Sequence, residues 1–167
     1  MRQLQVFSSV QIGGSVPPSV ASLIAAGHYV GDSAQGLMSK ADFPRSMPAE
    51  VVSLVVLNPM AMGFVSEPSR DEILNAEFLR VWSNNNLHLQ SIELCPPEVG
   101  PRLRMVWGRQ PHPVDLLIAM KCIRFGRPGI FNLGQDNEKT WLRVKWMTGG
   151  GRFGPYQKLV FRLRQSQ

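Results

Sequence analysis

The chain has little of what most catalytic, metal-binding or membrane proteins need. Its 167 residues include two cysteines and three histidines, and no stretch reaches the roughly 18 uncharged apolar residues of a membrane span. Cys95 and Cys122 cannot make a disulfide framework. Cys95, His112 and Cys122 fall in no Cys-x-x-Cys or His-x-x-x-His spacing that would hold zinc. The N-terminus turns polar at Gln11 and glycine-rich at Gly13-Gly14, so no secretory hydrophobic region is expected. No Asp/Glu pattern suggests a two-metal nuclease. The glycine run Thr148–Gly154 lacks the Gly-Lys-Ser/Thr ending of a phosphate loop. Together these absences predict a cytoplasmic protein with no cofactor, no metal and no membrane contact.

What is present is enough to fold. Hydrophobic residues make up 44% of the chain, with four tryptophans and eight phenylalanines, which excludes wholesale disorder. The length fits one domain, and the proline-rich passage 95–113 is the best subdomain boundary if there is one. The expected fold class is α+β: a single domain with a mixed or mainly antiparallel sheet, about three helices and a C-terminal β-hairpin.

Local patterns support that expectation. Residues 3–12 read as a strand. Pro17 and Pro18 open a short helix with Val20, Leu23 and Ile24 on one face, ended by Gly27. Residues 28–50 read as a long loop. The run Val51–Leu57 is β-branched and apolar enough to be a strand buried on both faces. Ser69 with Glu72 forms a capping box for a helix through Leu74, Phe78, Val81 and Trp82, broken at Asn84–Asn86. Residues 87–94 alternate as a strand with a phase change at Gln90–Ser91. Arg102–Trp107 alternates as a strand, and Pro113–Phe125 reads as a helix. The dipole at the end of that helix would account for Lys121 and Arg124. Trp141–Met147 and Lys158–Arg164 both alternate strictly, with glycines between them, which predicts an antiparallel hairpin with a long tip.

The charge is uneven. Residues 1–100 hold 5 Lys and Arg against 9 Asp and Glu, a net −4. Residues 101–167 hold 13 against 3, a net +10. Such asymmetry points to a polyanionic or acidic partner. On the expected hairpin, Leu142, Val144 and Trp146 match Leu159, Phe161 and Leu163 on one face. The other face presents Arg143, Lys145, Lys158, Arg162 and Arg164, with Val160 the one apolar residue. Like charges on adjacent strands repel, and backbone phosphates would neutralise them. Arg152, Phe153 and Tyr156 in the tip add an arginine for phosphate and aromatics for base stacking. Arg102 and Arg104 would extend the patch if their strand adjoins it. The predicted function is therefore nucleic-acid binding, with RNA or single strands preferred, within a larger complex.

Two other functions fit the same residues. His28, after a helix end, is the histidine best placed to be exposed and to act as a general acid or base. In layout alone, with no shared motif, the order of strand, helix, early histidine and late glycine-rich basic segment resembles the CRISPR repeat-processing endoribonucleases. That resemblance implies a metal-independent endoribonuclease using His28. The basic face could instead dock an acidic protein, making the chain a structural or adaptor subunit.

Overall fold

The computed structural model describes residues 1–14, 16–43, 48–109 and 115–165. Along the chain run β1 (Ser8–Ile12), α1 (Val20–Ala25), β2 (His28–Val30), α2 (Asp32–Met38), β3 (Glu50–Leu57), α3 (Arg70–Ile73) and α4 (Ala76–Asn86). After them come β4 (Gln90–Glu93), α5 (Val99–Val106), β5 (Leu116–Ile118), β6 (Ile123–Phe125), β7 (Arg127–Gln135), β8 (Thr140–Trp146) and β9 (Lys158–Gln165). The fold is α+β and built on one mixed sheet, in the order β1-β3-β9-β5-β7-β8-β2, with β4 on β9 and β6 on β7. Among the described residues, the strands that pair in parallel are β5 with β9 and β2 with β8. No helix among the described residues is long and apolar enough to cross a membrane.

Several elements follow directly from local chemistry. Ser19 caps α1, and Gly27 ends it at φ +90°, a left-handed conformation that glycine adopts without a Cβ penalty. The Glu72 carboxylate accepts from the Ser69 N–H at 2.6 Å, completing the expected capping box. The helix it opens is short, because Asn75 interrupts it and then caps α4 by accepting from the N–H groups of Glu77 and Phe78. α4 then runs through Asn84–Asn86. β3 lies between β1 and β9, as its apolar run requires.

Four expectations are corrected. The stretch 28–50 is not one loop: β2 and α2 occupy its first part. Arg102–Trp107 is helical. Val99 and Leu103 share a buried face, Glu98 and Arg102 pair at i,i+4, and Arg104 is buried rather than alternating outward. The stretch expected as a helix to Phe125 contains β5 and β6, while 110–114, including His112, lie outside the described residues. Leu116 to Met120 is a continuous buried run. A short run of that kind fits a two-sided strand as well as a helix, and here β7 and β9 take it as a strand. Lys121 and Arg124 thus lose their helix-end explanation.

The fourth correction concerns the C-terminal hairpin. There is an antiparallel hairpin in that third of the chain, but it joins β7 to β8. β9 is separated from β8 by two strands, β5 and β7. Register runs Leu142, Leu133, Leu116, Lys158 across the sheet, and one residue on it runs Arg143, Asn132, Leu117, Leu159. Residues in register share a face. Arg143 and Lys145 therefore lie on the face opposite Lys158, Arg162 and Arg164, and the expected five-cation face does not form.

The helices segregate accordingly. α5 packs on β1, β7 and β8, and α2 on β6 and β8. A Cβ at Gly100 of α5 would meet Phe131 of β7, and one at Gly36 of α2 would meet Phe125 of β6. Phe131 shares its face with Leu142 and Leu133. This helix-covered side is opposite the face that carries Trp141 and Arg143.

Candidate nucleic-acid interface

The parallel pairing of β2 with β8 sets Tyr29 beside Trp141, on the face turned away from α2 and α5. Tyr29 is 45% exposed. Arg143, two residues along β8 and on the same face, lies over the Trp141 ring at 4.4 Å and the Tyr29 ring at 5.5 Å. Lys139, at the end of the β7–β8 turn, lies over Tyr29 at 5.0 Å. Asp136 fixes that turn: its carboxylate accepts from the N–H groups of Glu138 and Lys139 and is held below the usual carboxylate range by those bonds. Two aromatic rings and two cations thus form one strip on an open sheet edge.

Gly134 makes the strip's geometry possible. It pairs with Trp141 across the β7–β8 ladder. A Cβ there would fall well inside contact distance of indole Cε2 and Nε1, and 2.5 Å from Asp115 Oδ1. The indole therefore lies over bare backbone. Asn132 donates from Nδ2 to Asp115 Oδ2 at 3.1 Å. Trp141 Nε1 and Asn132 Oδ1 have no hydrogen-bond partner among the described residues. Both atoms are buried, although the ring as a whole is half-exposed. Asp115 also lines a shallow cleft with Tyr156, which is 70% exposed, so a third aromatic ring borders the same region.

Beneath the strip is a buried polar cluster. His28, adjacent to Tyr29, is 5% exposed and bonds through Nδ1 to Thr140 Oγ1 at 2.7 Å. Burial, and then the nearby Arg104 charge, hold the imidazole below its ordinary value. Arg104 is fully buried, donating to the carbonyls of Gly134 and Trp107. Burial pushes its pKa down to about 10, so it stays charged at neutral pH. His28 is not the exposed histidine that the sequence predicts. Its role here is to hold β2 against β8.

The other predicted residues separate into distinct environments. Arg143 is exposed and Lys145 half-buried, both on the strip's face. Arg102 pairs with Glu98 at 2.8 Å. Arg162 and Arg164 share Glu50 and Glu93 in a four-residue ion network, with the Arg162 side chain 9% exposed. Protein carboxylates thus occupy the place given to phosphate. Arg152 donates to the Glu67 carbonyl at 2.8 Å, and Phe153 is fully buried with its N–H on the Pro68 carbonyl. The glycine-rich stretch is docked on residues 67–70 instead of projecting as a tip. Lys158 is half-buried on the far face.

Among the described residues, the Lys and Arg side chains with neither a hydrogen bond nor an ion pair are Lys121, Arg124, Arg127, Lys139, Arg143, Lys145 and Lys158. All lie between positions 121 and 158. Sequence reasoning missed Tyr29, Trp141 and Lys139. Trp141 sits one step before Arg143 in the alternating run and could have been placed with it. Tyr29 could not, since the stretch 28–50 has the pattern of a loop. Compared with known proteins, the chain matches no family model, no curated protein and no solved structure.

Proposed function

We propose that the chain binds single-stranded nucleic acid on the open face of β2, β7 and β8. The observation that carries this reading is the pair Tyr29 and Trp141, each with a cation over its ring and no carboxylate bonded to that cation. A cation–π contact at an exposed site contributes only about 0.5–1 kcal/mol. Base–aromatic stacking contributes about 1–3 kcal/mol per base. A base can therefore displace the guanidinium from the Trp141 ring, and the displaced Arg143 then meets the adjoining phosphate. Lys139 does the same at Tyr29, and Lys145 lies one further alternating step along β8. RNA is the preferred form on this reading, because sequence-specific RNA recognition targets unpaired bases that stack on aromatic side chains.

Fluorescence anisotropy with labelled single-stranded RNA and DNA oligomers tests the proposal. Trp141→Ala is expected to weaken binding about 5- to 150-fold, the range that one lost stacking platform implies. Tyr29→Ala should act in the same direction. Arg164→Ala, already paired with protein carboxylates, should leave affinity unchanged. Equal affinity of the parent and both aromatic variants would refute the site. Capture of an acidic protein without bound nucleic acid would support the adaptor reading instead.

A further inference from the structure

A separate cleft of about 560 Å³ opens between α3 and the segment joining β5 to β6. Its rim carries Arg70, Lys121 and Arg124, against the single carboxylate of Asp71. Arg70 is held in place by Asp71 at 2.9 Å and by the Met147 carbonyl at 3.3 Å. Lys121 and Arg124 are exposed, and among the described residues neither side chain has a partner. The helix dipole that would have explained these two cations is absent, because this stretch is not a helix. Leu74, Ala76 and Leu94 supply apolar walls. The rim's three cations against one carboxylate match a phosphomonoester, which carries about −1.5 to −2 charges at neutral pH. The walls suit a ring rather than a second charge.

We propose that this cleft binds a phosphomonoester group borne on a nucleoside. The site shares no residue with the aromatic strip, so either can fail without the other. The ligand is either a free nucleotide or the phosphorylated end of a strand, since the two share one chemistry.

Cys122 lines the cleft and is half-buried, while Cys95 is fully buried. Alkylation of Cys122 by neutral iodoacetamide, followed on the full chain by mass spectrometry, therefore reports occupancy. Adenosine 5′-monophosphate at ten times its dissociation constant should slow the reaction about tenfold, and adenosine should not slow it. The double variant Lys121→Gln, Arg124→Gln should lose the protection while keeping the unliganded alkylation rate and melting temperature. Trp141→Ala should keep the protection. Among short oligomers, protection only by the 5′-phosphorylated form, at lower concentration than the mononucleotide, assigns a strand end. Equal protection by the mononucleotide assigns a free nucleotide. Equal protection by adenosine, no protection by any phosphorylated compound at millimolar concentration, or undiminished protection in the double variant overturns the proposal.

Discussion

Two glycines make the same nominal clash with an aromatic ring, yet their replacement should have opposite consequences. In Gly100→Ala the new methyl meets Phe131 Cδ2 at 2.7 Å, Cγ at 2.9 Å and Cβ at 3.0 Å. Those atoms include the stem of a fully buried side chain, so no rotation relieves the contact. Overpacking of this kind costs about 1–3 kcal/mol, offset by up to about 1 kcal/mol from alanine's better helix propensity. The net loss of about 1–2 kcal/mol should lower the melting temperature by roughly 2–8 °C in a chain of this size. In Gly134→Ala the methyl meets the indole Cε2 and Nε1 of Trp141 and the carboxylate of Asp115. Asp115 is exposed and Trp141 half-buried, so the clash is relieved by shifting these side-chain ends and unseating the indole, not by moving the core. Stability should change by less than about 1 kcal/mol, whereas oligonucleotide affinity should fall about 5- to 150-fold, as though Trp141 were removed. Thermal unfolding and fluorescence anisotropy on the two variants separate the cases. A neutral Gly100→Ala would contradict the packing of α5 on β7. A Gly134→Ala protein that binds like the parent would contradict the placement of the indole in the binding surface.

Other expectations follow from the buried and paired groups. His28 has its folded-state pKa lowered by burial and by Arg104, so the unfolded chain binds more protons below about pH 6.5. Its contribution is complete above that pH and is lost on acidification, at up to about 1.4 kcal/mol per pH unit, until the lowered folded value is reached. Denaturant unfolding of His28→Gln between pH 7 and about 5 should show a shallower slope than the parent; an unchanged slope would contradict the buried neutral ring. Asn75→Ala removes the cap of α4 and should cost about 1 kcal/mol in the same assay. Glu50→Gln leaves Arg162, its side chain 9% exposed, with only Glu93 at 3.9 Å. The loss should be about 1–2 kcal/mol, between the ranges for exposed and buried pairs. Glu93→Gln should cost less, since Glu50 still holds both arginines.

The parts of the fold that local chemistry dictates were readable in the sequence. The Ser69–Glu72 box, the glycine stop at Gly27 and the apolar run of β3 each depend on residues within one turn or one strand. Strand pairing does not. β8 and β9 alternate as the sequence shows, and a hairpin was the nearest pairing for both. Yet β9 is inserted between β3 and β5, and only that long-range choice places Arg143 and Arg162 on opposite faces. The errors at 102–107 and 116–118 share one cause. In both, the alternation or run is too short to separate helix from strand without knowing what covers it, and a buried Arg104 runs against the expectation that charge points outward. At the candidate site, Arg143 and Lys145 were legible as cations on an alternating strand. Tyr29 became part of the site only through a three-residue parallel pairing that no local pattern announces.

The most direct test of nucleic-acid binding at the open face is the salt dependence of affinity for a single-stranded oligomer, measured for the parent and for Arg143→Ala, Lys145→Ala. Three or four phosphate contacts predict a slope of log K against log salt of about −2 to −3, since each contact on a single strand contributes about −0.7. The double variant should be shallower by about 1.4. A flat slope, or one that the double variant leaves unchanged, would contradict the account.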